Sequence, residues 1–196
     1  MKKTLIALAA LAATGAVMAQ SSVTLYGVVD VGFTSVNNSG TGSTDNTGLT
    51  SSNMTTNRLG FRGTEDLGGG LKANFQIETS LAADAPAASS IGDRGAWVGL
   101  SGGFGEVRLG RDYTPQFWNL TVFDPFGTNG VGTTQTLNSS LGGPTTVRAS
   151  NSIGYFLPGN LGGFYGQAQY YMGENLSNAA NKKDGNGLAL RAGYAN

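Results

Sequence analysis

The stretch 57–81, NRLGFRGTEDLGGGLKANFQIETSL, constrains the fold more than any other part of the chain. In its second half the odd positions Leu71, Ala73, Phe75, Ile77, Thr79 and Leu81 are nearly all apolar, and the even positions Lys72, Asn74, Gln76, Glu78 and Ser80 are all polar. Successive side chains of a strand point to opposite faces, so this segment is a strand with one apolar side and one polar side. The first half repeats the arrangement, with Leu59 and Phe61 on one face and Arg58, Arg62 and Thr64 on the other. Between the halves, Asp66-Leu67-Gly68-Gly69-Gly70 supplies the glycines that a tight turn needs. Such a hairpin suits a soluble sheet as well as a barrel wall in lipid, so by itself it leaves that choice open.

Composition narrows it. Only 12% of the 196 residues are charged, about half the usual share, while glycine occurs 32 times and cysteine and histidine are absent. Past the N-terminus no apolar run approaches the roughly 18 residues of a membrane helix. Low charge, abundant glycine and weakly alternating segments fit a transmembrane β-barrel. The lack of cysteine is compatible with folding in the periplasm.

Residues 1–19 read as a secretory signal peptide: Lys2-Lys3 is the positive start, 5–13 the short apolar segment, and Val17-Met18-Ala19 the cleavage site. That leaves 20–196 as the barrel segment. Without Lys2 and Lys3, ten basic residues face twelve acidic ones, so bulk charge gives no case for nucleic acid as a partner.

Strand one is expected over 23–36, with Val23, Leu25, Val29, Val31 and Phe33 opposite Thr24, Tyr26, Asp30 and Thr34. The hairpin supplies strands two and three, and further strands are expected at 94–100, 106–110, 148–157, 164–172 and 187–194. The connections 37–53, 82–93, 112–146 and 173–186 are long. Those at 66–70, 101–105 and 158–163 are short. Outer-membrane barrels alternate in this way, with brief periplasmic turns and extended outer loops. Tyr26, Phe61, Trp97, Tyr155, Phe164 and Tyr194 are candidates for interfacial aromatic girdles.

On the polar phase of their strands stand Arg58, Arg62, Lys72, Glu78 and Arg108, and Arg148 shares a phase with Ser150 and Ser152. A lipid-facing arginine near the bilayer midplane costs roughly 2–4 kcal/mol, which points these groups inward. Arg94 is in phase with Ala96, Val98 and Leu100, so by counting it faces the lumen only if Trp97 faces lipid. Arg111 falls on the lipid phase with Val107 and Leu109, so a bend or bulge is expected at Gly110 as the chain enters its third long loop.

The segments SSVTLYGVVDVGF, NRLGFRGTEDLGGGLKANFQIE, RGAWVGLSGGFGEVRLGR and NSIGYFLP, in that order behind a signal peptide, resemble the trimeric general-diffusion porins of Gram-negative outer membranes, most closely their β-proteobacterial branch. The resemblance runs through essentially the whole chain. It implies an all-β fold, a sixteen-stranded antiparallel transmembrane barrel around a water-filled pore, with 112–146 folded inward as a constriction loop. It further implies assembly as a homotrimer in the outer membrane, among its lipid and lipopolysaccharide. It matches Arg58, Arg94 and Arg148 to an arginine ladder at the constriction, opposed by Glu78 on the wall and by Asp112 and Asp124 on the loop. The chain departs from the family by stopping at Asn196 after about eight strands. It is therefore read as an N-terminal half rather than a small closed barrel, whose filled interior would leave no room for an infolded loop.

The resulting expectation is a channel for passive diffusion of small hydrophilic solutes and ions, with weak anion preference from its arginines. The competing class is a non-conducting structural or adhesive eight-stranded barrel. It would need bulky apolar inward positions, and here they are Arg, Lys, Gln, Thr and Gly. An enzyme is not expected, because without histidine the hydroxyl–imidazole arrangements of hydrolases cannot form. No cofactor is expected either. A transition-metal site lacks its usual Cys and His ligands, and Lys183-Asp184-Gly185-Asn186-Gly187 lacks most ligands of a calcium loop.

Overall fold

A computed structural model of the chain describes residues 22–37, 42, 45–85, 89–130, 132–135 and 147–195. The signal-peptide reading of 1–19 lies outside them. Eight strands form one antiparallel sheet: β1 (Ser22–Val28), β4 (Arg58–Gly68), β5 (Leu71–Ser80), β6 (Gly95–Gly102), β7 (Gly105–Tyr113), β8 (Arg148–Phe156), β9 (Phe164–Tyr171) and β10 (Gly187–Tyr194). They neighbour each other in that order, and β2 (Val31–Val36) with β3 (Asn46–Ser51) makes a separate two-stranded ribbon. β4, β5, β7 and β8 are 11, 10, 9 and 9 residues long, the length a tilted strand needs to cross a bilayer. β1 and β10 are the two edges of the sheet, so the described strands do not close into a small eight-stranded barrel.

Burial is inverted relative to a protein folded in water. Among the described residues the buried hydrophobic ones are Phe117 and Ala149, against ten buried polar or charged residues. Val23, Leu25, Val98, Leu188 and Leu190 are each more than half exposed. Apolar side chains stay exposed in this way when their solvent is hydrocarbon. The register agrees, since Leu25 pairs with Phe61, Phe61 with Ile77, Phe75 with Val98, and Leu109 with both Val98 and Ile153. The apolar stripe therefore runs unbroken across the strands on one face.

Cross-strand pairs also account for much of the glycine. Tyr26 faces Gly60, Phe75 faces Gly63, Tyr165 faces Gly193 and Tyr171 faces Gly187. In each pair the ring lies where a Cβ would stand, and a Cβ on Gly60 would sit 2.6 Å from the Tyr26 ring. Small-against-large pairing lets rings lie flat along the wall instead of projecting from it.

Two sequence expectations change. Strand one breaks after Val28, because Asp30 turns its carboxylate to accept the Met54 and Thr55 N–H groups at 2.6 and 2.8 Å, and its own N–H donates to Asn57 Oδ1. The rest of the expected strand becomes β2, and part of the expected loop 37–53 becomes β3, its partner. The second change is in 112–146. β7 continues to Tyr113, and a helix, α1 (Pro115–Phe123), follows it. Thr114 caps α1, its hydroxyl accepting from Phe117 N–H at 3.2 Å, and Pro115 takes the first turn, where no N–H is needed. So short a helix is marginal alone. It holds because Pro115 and Phe117 are buried and Phe117 stacks on Tyr113 at 4.7 Å.

The irregularity expected at Gly110 as a bend or bulge of its own strand is found in the pairing there, but its extra residue falls on the partner strand and does not turn Arg111 inward. Gly110 pairs with Ser152 but Asp112 with Ala149, so the extra residue lies on β8, and Asn151 takes it up at a φ of 50°. Gly110 itself has a φ of 131°, and a Cβ there would run into the Ala96 carbonyl oxygen. Gly110→Ala is expected to cost about 1–3 kcal/mol of backbone strain. The check is the folded yield on refolding into detergent micelles, read from the folded and unfolded bands of an unheated gel.

Candidate pore constriction

The loop that carries α1 crosses the polar face of the sheet. At one end α1 packs against β9 and β10, where Gln167 Nε2 donates to the Tyr113 carbonyl at 3.3 Å. At the other end Asn129 Oδ1 accepts from Thr56 Oγ1 at 2.9 Å, beside the start of β4. Between loop and wall lies a cavity of about 580 Å³.

Seven of the nine residues singled out from sequence line this cavity: Arg58, Arg62, Glu78, Arg94, Arg108, Asp112 and Arg148. Glu78 is the hub. Its carboxylate accepts from Arg94 Nε at 2.8 Å and from Tyr26 OH at 2.8 Å, and Arg58 Nε stands 3.7 Å away. Both members of the Arg94–Glu78 pair are buried. Arg108 is neutralised separately, by Glu106 at 2.8 Å and Asp112 at 3.0 Å, and its guanidinium lies over the Trp97 ring at 4.0 Å. Arg148 has no carboxylate within ion-pair reach among the described residues. It donates to the Arg94 carbonyl and, at 2.9 Å, to Tyr113 OH, and it lies over the Tyr113 ring at 4.5 Å.

Several placements differ from the sequence expectation. Arg94 reaches the cavity although Trp97 faces the same side, under Arg108. It can do so because it precedes Gly95, where β6 and its alternation begin. Tyr26 and Trp97 are therefore wall residues of the lumen rather than girdle candidates, whereas Phe61, Tyr155, Phe164 and Tyr194 are exposed on the outer face. Lys72 does not join the cavity. It sits one residue past the β4–β5 turn, opposite Asp66 and Ser101, six residues and about 20 Å along β5 from Glu78. Asp112 belongs to the wall strand β7, not to the loop. Arg111 keeps the outward phase but donates to the Asp93 carbonyl at 2.7 Å and to Ser150 Oγ at 2.8 Å, near the rim.

Asp124 does not line the cavity either. At the end of α1 its carboxylate turns into the loop, accepting from Phe126 N–H, Thr134 N–H and Thr134 Oγ1 at 2.8 Å each, and from Thr133 Oγ1 at 3.3 Å. Burial opposes its charge, but the hydrogen bonds from Thr134 and Phe126 outweigh that and hold the carboxyl below the usual carboxylate range. A depressed carboxylate lends stability above its unfolded pKa and loses it as pH falls through the folded value. The loop is thus expected to hold at neutral pH and to loosen only in acid below the ordinary aspartate range. Asp124→Ala should loosen it at neutral pH, seen as added open-channel current noise.

Glu106, which holds Arg108, Tyr113 and Arg191 are among the inner-face residues that the sequence did not single out. Tyr113 joins Arg94 to Arg148, its hydroxyl accepting from both at 3.4 and 2.9 Å. Arg191 stands on β10 opposite Gln167, over the Tyr165 ring at 4.7 Å.

The family model described as Gram-negative porin matches residues 4–196. The chain belongs to the Gram-negative porin family. This porin is 49% identical over 169 residues to outer membrane porin protein 32 of Delftia acidovorans, covering 84% of the chain and 48% of that relative. It is 33% identical over 212 residues to an outer membrane porin protein of Bordetella pertussis, covering 100% and 52%. Among solved structures it is similar to the anion-selective porin from Comamonas acidovorans, with 41% identity and a TM-score of 0.79 over 90% of this chain and 54% of that one. A Salmonella typhi OmpF complex, 20% identical, shares the fold with a TM-score of 0.62 over 89% and 50%. The porin spans about half the length of the curated relatives it matches. Those relatives are outer-membrane proteins, and the outer membrane is its location.

Proposed function

We propose that this porin forms the wall and constriction of a water-filled channel through which small hydrophilic solutes and ions diffuse passively, with a preference for anions, and that it works as a homotrimer without catalysing a reaction. The observation that carries the reading is the charge around the cavity, where five arginines stand against Glu78 and Asp112. Glu78 is shared by Arg94 and Arg58, and Arg108 is held by Asp112 and Glu106, so among the described residues the cavity's arginines without a carboxylate partner are Arg62 and Arg148. Fixed positive charge at a narrow, low-dielectric constriction lowers the barrier for anions and raises it for cations. The similarity to an anion-selective porin supports the same sign.

The test is the reversal potential of single channels in a planar bilayer under a potassium chloride gradient. A potential of the sign set by chloride is expected, and one set by potassium would overturn the preference. A protein that inserts without conducting would favour the structural or adhesive alternative. The trimer is expected as a band of higher apparent mass on an unheated gel that collapses to the monomer on boiling.

A further inference from the structure

We infer that Arg191, mounted on Tyr165, is an anion-docking site on the lumen wall, separate from the arginines of the constriction and suited to small oxyanions such as phosphate. The inference rests on the channel reading above. Leu188 and Leu190 point outward, which puts Arg191 on the inner face of β10, a strand against which α1 packs. It stands three residues from the end of β10 at which the short connections lie, whereas Arg58 and Arg94 stand at the ends carrying the long loops. Arg191 itself does not line the cavity that holds Arg58, Arg94 and Arg148.

The mounting is built. The Tyr165 ring lies where Gly193, its cross-strand partner, would carry a Cβ, so it rests flat on the wall. The guanidinium lies over that ring, 4.7 Å from its centroid. A ring covers one face of a guanidinium and leaves its N–H edge free for an oxyanion, which that edge can grip with two parallel hydrogen bonds. Among the described residues no carboxylate lies within ion-pair distance of Arg191. The same construction occurs across the sheet, where Arg62 lies over Tyr26 at 5.2 Å and Tyr26 lies over Gly60. Arg108 shows the contrasting case, its guanidinium already held by Glu106 and Asp112.

The experiment titrates inorganic phosphate into the bath on the short-connection side of porin channels, purified from outer membranes, and reads the fall in chloride conductance. Arg191→Gln is expected to weaken the phosphate response roughly tenfold, the effect of losing a hydrogen bond to a charged group. Arg191→Lys keeps the charge without the fork and should recover only part of it. Tyr165→Leu, which keeps the arginine but removes its mounting, should also weaken the response and carries the test if Arg191→Gln does not assemble. A phosphate response that these replacements leave unchanged overturns the site, since the guanidinium must then be engaged elsewhere in the protein. The chloride gradient on the parent channel separates the two readings. If the parent prefers cations the channel reading fails, and if it prefers chloride while the phosphate response ignores Arg191 only the docking site fails.

Discussion

Glu78→Gln should both destabilise the porin and sharpen its preference for anions. The Glu78 carboxylate takes Arg94 Nε at 2.8 Å and Tyr26 OH at 2.8 Å, with Arg58 Nε 3.7 Å away. Glutamine can still accept from one donor, but it leaves the Arg94 guanidinium, whose side chain is 9% exposed, without a counter-charge. Breaking a buried pair from one side costs roughly 3–5 kcal/mol, and the adjoining wet cavity puts this case at the low end of that range. The expected observation is a lower midpoint of thermal unfolding in detergent, followed by circular dichroism. The second effect is electrostatic. For an ion passing about 7 Å from the lost charge, water-like screening leaves about 0.6 kcal/mol, of opposite sign for anion and cation, or roughly a sevenfold rise in the anion-to-cation permeability ratio. A variant that unfolds earlier with unchanged selectivity would show that Glu78 serves the wall alone.

What the sequence disclosed follows from one regularity. Parity along a strand is enough to put Arg62, Glu78 and Arg108 on the polar face and Phe61, Ile77 and Leu109 on the other, and the register bears this out across the sheet. Parity fails where the backbone stops being a regular strand. Arg94 lies one residue before β6, so its phase with Val98 means nothing, and Trp97 could share its side. Asn151 adds a residue to β8, so Arg148 cannot be counted inward from Ser152. The helix was hidden because PQFWNLTVF is rich in aromatic and β-branched residues that favour strands, and its capped start, Thr114-Pro115, was the one local signal. Lys72 and Asp124 were misplaced for a different reason: parity and loop membership say nothing about height along a strand or about which hydrogen bonds turn a carboxylate away from a lumen. Arg191 was legible by phase, opposite Leu188 and Leu190, but its mounting depends on a ring from the neighbouring strand.

The inverted burial makes a paired prediction that no water-soluble sheet would share. Val98→Arg places a guanidinium on the outer face in the middle of β6, between Phe75 and Leu109, where the native side chain is 58% exposed. If that face meets hydrocarbon, the substitution costs roughly 2–4 kcal/mol near the midplane. Asn74→Arg, one strand over on the inner face, replaces a side chain that already donates to Glu106 Oε1 at 3.1 Å, so the new charge finds a carboxylate at hand. It is expected to stay within about 1 kcal/mol of the parent. In an aqueous sheet with its apolar face exposed the order would reverse, because Val98→Arg would replace a water-exposed valine while Asn74→Arg disturbed a hydrogen-bonded polar cluster. Refolding both variants into lipid vesicles across a urea gradient reads the two costs side by side, and equal midpoints would remove the ground for assigning hydrocarbon to the outer face.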